Sequence, residues 1–269
     1  AFQTDSDTEV VLAAMQVWGR AALTEFNGMF AFAYWNQARR ELTLARDRMG
    51  IKPLYFAHAD NMVVFSSEVR SLLASDWIER KHDPVGLADY LRYQTVHAPR
   101  TIVKGVSLLP AGHWMRLQGE ETETGRWWNP AASATPSVRS RKEELARIHE
   151  ALSRSVELRL RSDVPLGAFL SGGIDSSAIV GLMKQATEQR ISTFSVTFNE
   201  GEFDESPYSR LIAERFDTDH HEIRLTLDAF LEEVPAALEA MDHPSGDGPN
   251  TYVVSKATKA AGITVALSG

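Results

Sequence analysis

Leu170-Ser171-Gly172-Gly173-Ile174-Asp175-Ser176-Ser177 is the stretch that decides how the chain folds. It follows the apolar run Val164 to Leu170, a short strand. It precedes Ser176 to Gln185, a helix whose Ile179, Leu182, Met183 and Ala186 fall on one face. A short apolar strand, a glycine turn and an amphipathic helix open a parallel strand-helix-strand unit. Gly172 and Gly173 let the backbone turn tightly and approach an anion without Cβ obstruction. The following helix points its free N–H groups and the positive end of its dipole at the same place. Ser171, Ser176 and Ser177 add hydroxyl donors, while Asp175 could cap the helix or help hold a magnesium ion beside phosphates. The stretch therefore reads as a phosphate cradle. It matches neither the Walker spacing nor the Gly-x-Gly-x-x-Gly dinucleotide spacing. The competing reading is an ordinary strand-to-helix turn in which glycine relieves strain and Asp175 only caps.

Downstream the alternation of strand and helix continues. Thr193 to Phe198 is the next strand, and Ser206-Pro207 starts a helix with Ser as cap and Pro at its first position. His221 to Leu227 alternates again, Asp228 to Met241 and Thr251 to Ala261 are helical, and Ile263 to Leu267 is a final strand. Upstream, Glu143 to Arg161 is helical. Strands separated by helices predict an α/β fold with a doubly wound parallel sheet over 143–269.

Residues 129–142, rich in Ala, Ser and Pro, form the expected linker. Before it the grammar changes. Ser6-x-x-Glu9 has the pattern of a capping box, followed by Val10, Val11, Ala14, Val17 and Trp18 at helical spacing. Phe30, Phe32 and Tyr34 alternate with Ala31, Ala33 and Trp35, and Glu41 to Arg46 returns after a polar turn at Asn36 to Arg40. Pro53 to His58 and Met62 to Ser66 make a second hairpin around Asp60-Asn61, and Ser67 to Ser75 a short helix. Residues 1–128 thus read as an α+β region with antiparallel sheet.

Composition bounds the function classes. With 43% hydrophobic and 24% charged residues among 269, the chain can fill one large or two small domains. A formal charge of -8 is the opposite of a footprint for nucleic acid or an anionic membrane. The sequence has no cysteine, so no disulfide, thiolate zinc site or cysteine nucleophile is carried by these residues. Nothing approaches the ~20 apolar residues that span a bilayer, and no signal peptide is evident, so a cytoplasmic location is expected. A start without Met and an end at Leu267-Ser268-Gly269 suggest a longer protein cut at both ends.

The eight-residue string resembles the PP-loop, Ser-Gly-Gly-x-Asp-Ser, of ATP pyrophosphatases. The resemblance narrows with Thr193-Phe194-Ser195-Val196, Phe203-Asp204-Glu205-Ser206-Pro207-Tyr208, His220-His221-Glu222 and Val265-Ala266-Leu267-Ser268-Gly269. Ser6-Asp7-Thr8-Glu9, Phe26-Asn27-Gly28-Met29-Phe30, Arg46 to Tyr55 and Phe65-Ser66-Ser67-Glu68 are similar to a class II glutamine amidotransferase domain. In that order, both halves resemble the glutamine-hydrolysing asparagine synthetase family. The resemblance implies an incomplete Ntn-type amidotransferase sandwich over 1–128, a linker over 129–142, and the first part of an ATP-binding synthetase domain over 143–269.

It further implies that Phe169, Leu170, Ser171, Gly172, Gly173, Asp175 and Ser176 hold ATP, with Val196 lining the adenosine site. Ser268 and Gly269 match the start of a second nucleotide-binding motif. Asp7 matches the acid that recognises the α-amino group of glutamine, although it could instead only complement the charge of the first helix. The implied cofactors are ATP and Mg, with Asp175 beside the pyrophosphate. The implied partners are ATP, glutamine and aspartate or another carboxylate, no nucleic acid and no membrane, with a homodimer compatible. The implied chemistry is an acyl-adenylate attacked by ammonia. The nucleophilic cysteine of the family would lie before Ser6-Asp7, so these residues alone are expected to release no ammonia from glutamine and form no asparagine. Two alternatives stay open: a different carboxylate acceptor, as in cyclising synthetases or surface-polysaccharide amidotransferases, and a non-catalytic adenine-nucleotide module.

Three other clusters have plainer readings. Adjacent His220 and His221 on a strand point to opposite faces, which favours packing or substrate-side hydrogen bonds over a shared metal. Arg46-Asp47-Arg48 fixes a turn, with an interface role left open. Asp242 to Asn250 is a turn-rich loop that could face an acceptor.

Overall fold

A computed structural model of the protein describes residues 2–133, 139–198 and 205–269. The chain divides into two compact units, Ala1–Thr135 with Asp242–Gly246, and Pro136–Met241 with Asp247–Gly269. Among the described residues no helix is long and apolar enough to cross a membrane.

The first unit is α+β, as the sequence predicts. Helix α1 (Asp7–Trp18) and the short α2 (Ala22–Glu25) precede β1 (Ala31–Asn36) and β2 (Glu41–Arg46). The hairpin β3 (Tyr55–Ala59) and β4 (Met62–Ser66) follows, then α3 (Val69–Ala74), α4 (Pro84–Tyr93), β5 (Val106–Leu108), β6 (His113–Gln118) and β7 (Glu121–Arg126). Two antiparallel sheets result, with orders β1-β2-β6-β7 and β4-β3-β5. One core cluster packs Leu44, Leu54, Leu109 and Met115 together.

Helix α1 buries a different stripe from the expected one. Ala14 and Met15 are buried, packing with Val11 and Ala22 against Phe26, Phe32 and Tyr34. Val10, Val17 and Trp18 are exposed. Its start also differs from the capping box predicted at Ser6-Glu9. Ser6 Oγ accepts from Thr8 N, while Glu9 turns back to accept from Gln3 N, Thr4 N and the Thr4 hydroxyl. Those bonds, the Gln3 N–H foremost, hold the Glu9 carboxyl below its ordinary range.

The second unit contains α5 (Arg141–Arg159), β8 (Leu166–Phe169), α6 (Ile174–Ala186), β9 (Ser192–Phe198) and α7 (Ser206–Phe216). It continues with β10 (Asp219–Leu225), α8 (Leu227–Ala240), α9 (Gly248–Ala260) and β11 (Val265–Leu267). The strands form one parallel sheet of order β10-β9-β8-β11. From β8 the chain winds outward through β9 to β10, and β11 then returns to the other side of β8. The order therefore reverses at β8, and open parallel sheets bind ligands at the carboxyl ends of the strands where it does. Val156 of α5, Val180 and Met183 of α6, and Ala213 of α7 pack with Ala168, Leu170 and Leu267 to fix this arrangement.

Several helix starts differ from the sequence reading, with α6 beginning at Ile174 rather than Ser176 and α9 at Gly248 rather than Thr251. Helix α5 begins at Arg141 rather than Glu143, because Ser140 and Glu143 form a complete capping box. Helix α7 takes Glu205 as its N-cap, which puts Ser206 inside the first turn rather than at the cap. Residues 134–138 of the expected linker, and Phe203-Asp204 of the quoted string, lie outside the described residues.

Candidate functional site

The loop after β8 is built by constraints on both sides. Leu170 N–H donates to the Phe194 carbonyl at 2.7 Å, tying the end of β8 to β9. Leu170 and Phe194 are fully buried beneath the site, and burying a side chain as large as Phe194 contributes about 2 kcal/mol. Gly172 then adopts φ +86°, and a Cβ there would lie 2.6 Å from Tyr208 Cβ and 2.9 Å from Ser209 N. Both the backbone conformation and the close passage of α7 demand glycine.

Helix α6 starts at Ile174 with Gly173 as its N-cap and no side-chain cap. Asp175 therefore does not cap the helix; it is an exposed carboxylate in the first turn. The loop's hydroxyls are organised around the turn. Ser171 Oγ lies 3.1 Å from Ser176 Oγ and accepts from Gly173 N. The Ser176 and Ser177 hydroxyls both donate to the Gly173 carbonyl. Among the described residues no side chain caps the helix start, so the N–H groups of the first turn, which have no intrahelical acceptors, form an anion-binding end.

Beside this loop is a cleft of about 510 Å³, within the range that holds a nucleotide-sized ligand. Phe169, Leu170 and Ser171 from β8 and its loop, Val196 from β9, and Ser268 after β11 all line it. Gly172, Gly173, Asp175, Ser176 and Gly269 are not among the residues that line it. A Cβ on Gly269 would fall 2.5 Å from Ser176 N, so the segment after β11 abuts the first turn of α6. Asp7 belongs to the first unit, exposed at the start of α1.

Seven further cleft residues were not among the predicted ligands: Phe194, Ser195, Glu205, Asp247, Asn250, Thr251 and Val254. Asp247 accepts from Asn250 Nδ2 and from the Thr251 hydroxyl, which organises the start of α9. The spacing Asn250, Thr251, Val254 is one helical face, so its pattern is present in the sequence; its apposition to β9 is a matter of tertiary packing. No cluster of three or more metal-ligating side chains occurs among the described residues.

The histidine pair separates as the strand geometry predicts. His220 bonds the hydroxyls of Thr193 and Ser195, whereas His221 stacks on Phe194 with ring centroids 5.0 Å apart. Burial, before the opposing pull of Glu222, keeps the His220 imidazole below its ordinary pKa.

In the first unit Arg46 and Asp47 knit a turn. Arg46 donates to the carbonyls of Gly50, Lys52 and Leu109, and Asp47 accepts from the N–H groups of Phe30, Met49, Ile51 and Lys52.

The sequence matches two family models in succession, a glutamine amidotransferase domain over residues 1–128 and asparagine synthase over residues 147–269. It is 34% identical over 274 residues to the putative asparagine synthetase (glutamine-hydrolyzing) 2 of Methanocaldococcus jannaschii, covering 99% of this chain and 52% of that protein. The chain belongs to the glutamine-hydrolysing asparagine synthetase family. Other relatives agree with this membership. Asparagine synthetase (glutamine-hydrolyzing) 1 of Bacillus subtilis is 34% identical over 272 residues, with 100% of this chain and 42% of that protein covered. A protein named amidase chry2 from Gibberella zeae is 30% identical over 293 residues, again with 100% and 42% covered. The chain thus spans about half the length of the curated relatives it matches.

Proposed function

We propose that this chain supplies the junction of a glutamine-dependent asparagine synthetase, which turns ATP, aspartate, glutamine and water into asparagine, glutamate, AMP and pyrophosphate. The observation that carries the reading is the cleft at the carboxyl ends of β8, β9 and β11, with the uncapped start of α6 beside it. In this reading residues 1–128 are the later part of the amidotransferase domain, 129–142 a linker, and 143–269 the first part of the ATP-binding domain. Phe169, Leu170 and Val196 take the adenosine. Ser171, Gly172, Gly173, Asp175 and Ser176 take the phosphates, together with Ser268 and Gly269. Asp7 takes the α-amino group of glutamine.

The chemistry needed is an exchange of leaving groups. A carboxylate oxygen leaves poorly and AMP leaves well, so adenylation prepares the acceptor for ammonia. The backbone N–H groups at the start of α6 stabilise charge building on the departing pyrophosphate. Magnesium usually binds through one or two carboxylates plus substrate phosphates, and Asp175 provides one such carboxylate in the first turn of α6. When bound, the ion would neutralise phosphate charge. The protein acts in the cytoplasm on small molecules, without nucleic acid or membrane, and a homodimer is compatible with this role.

A second acceptor is a specific alternative. The relative named an amidase is 30% identical across the whole chain, and Asp247 and Asn250 line the cleft. ATP-pyrophosphate exchange by the full-length protein, run with a panel of carboxylates, tests both. Exchange that depends on aspartate supports the first reading, and dependence on another acid supports the second. Exchange with none, despite ATP binding, leaves a non-catalytic nucleotide module.

A further inference from the structure

Beneath the cleft a chain of buried polar groups crosses from β10 to β9. Thr218 Oγ1 lies 2.8 Å from Thr193 Oγ1, which lies 2.9 Å from His220 Nδ1, and His220 Nε2 lies 3.2 Å from Ser195 Oγ. Thr193 is fully buried and Ser195 is 5% exposed. Thr218 N–H also accepts its place from α7 by donating to the Ala213 carbonyl, so the chain is anchored at the end of that helix.

A neutral imidazole carries one donor and one acceptor nitrogen, and hydroxyls can do either, so every member of the chain is satisfied in either tautomer. Such a network has few alternative arrangements, because a broken link strands a buried polar atom. Its last member, Ser195, lines the cleft beside Val196, and its neighbour Phe194 supplies the carbonyl that ties down Leu170. The segment that would contact a nucleoside is thereby splinted from behind. Among the described residues, Arg210 and Glu222, which pair with each other at 2.7 Å, and His221 are the other charged or titratable groups acting on the ring.

We propose that His220 is a positioning residue for the nucleotide: through Ser195 it holds β9 in the shape that receives the nucleoside part of ATP. The inference rests on the reading of the cleft as an ATP site. It assigns His220 a part in substrate affinity without contact to the substrate.

The test is a double-mutant cycle on the full-length protein, read as the dissociation constant of ATP by calorimetric titration and as the split between KM and kcat. His220→Ala and Ser195→Ala should each weaken ATP by about fivefold, the worth of one hydrogen bond, and the double variant should be no weaker than either. KM for ATP should rise while kcat stays. His220→Gln, whose carboxamide can reach toward Ser195, should recover most of the affinity. Wild-type affinity in folded His220→Ala overturns the proposal, as do multiplied effects in the double variant. Should His220→Ala fail to fold, Ser195→Ala and His220→Gln carry the test: unchanged affinity in the first, or no recovery in the second, overturns it. Wild-type protein that does not bind ATP overturns the cleft reading itself and this proposal with it, an outcome distinct from normal wild-type binding with indifferent variants.

Discussion

The turn at Arg46 to Lys52 and the loop at Leu170 to Ser177 use the same material in opposite ways. Both are tight turns that gather backbone N–H groups around one point. In the first the chain supplies its own anion: Asp47 is 1% exposed and accepts from four N–H groups. In the second no side chain among the described residues caps the helix, Asp175 stays exposed, and the hydroxyls bond to the loop itself. A nest with a resident carboxylate is finished as structure, whereas a nest without one is prepared for an anion from outside. A glycine-rich turn is therefore judged by where its N–H groups go, more than by its glycines.

Removing the resident carboxylate should have the largest effect. Asp47→Ala strands several partly buried donors and is expected to lower the stability of the first unit by on the order of 3 kcal/mol, read from chemical denaturation. ATP affinity should be unchanged in molecules that remain folded, and a parallel loss of affinity would break the contrast. Gly172→Ala comes next. A Cβ at φ +86° meets Tyr208 and Ser209, so strain and overlap together should cost about 2–3 kcal/mol and distort the loop enough to suppress ATP binding.

Gly173→Asp converts the second kind of nest into the first. Gly173 has extended backbone at φ -66° and ψ 163°, and its nearest obstacle is Ser171 Oγ at 3.3 Å from a Cβ. The new carboxylate should cap α6, raise stability by a few tenths of a kcal/mol, and weaken ATP by about tenfold through competition and repulsion. Unchanged ATP affinity, measured by titration, would deny that these N–H groups face the ligand.

The smallest effect concerns pH. The folded protein holds His220 below its ordinary value of 6.5, mainly by burial. Below that value the unfolded chain binds the extra proton, so stability falls as pH drops toward the lowered pKa and levels beneath it. His220→Gln should show a shallower decline in urea midpoint over that range than wild type.

Much of this was legible because local signals and tertiary packing agreed. Strand β2 runs Glu41 to Arg46 in both readings, and Asp60 takes the positive φ expected of a turn residue between β3 and β4. The loop at 170–177 fell between its predicted strand and helix because glycine, hydroxyl and apolar signals all bore on the same few positions. Helix α1 was misread for a physical reason. Apolar residues surround it, so spacing alone could not single out Val11, Ala14 and Met15 over Val10, Val17 and Trp18. The Ser-x-x-Glu pattern likewise occurs twice and forms a capping box only at Ser140, since at the other site Glu9 is drawn to Gln3 and Thr4. Strand β7, polar at Glu121-Thr122-Glu123-Thr124, has no apolar face to announce it and is held by its ladder to β6. At the site, the walls supplied by Glu205 and the start of α9 depend on contacts distant in sequence, which no local pattern encodes.

The uncapped start of α6 has one more consequence. A grip made of lysines or histidines would come with a titration curve, loosening as its own protons leave. Backbone N–H groups have no such curve over the pH range in which proteins stay folded. The N–H groups of such a receptor therefore add no titration of their own to the binding of a phosphate.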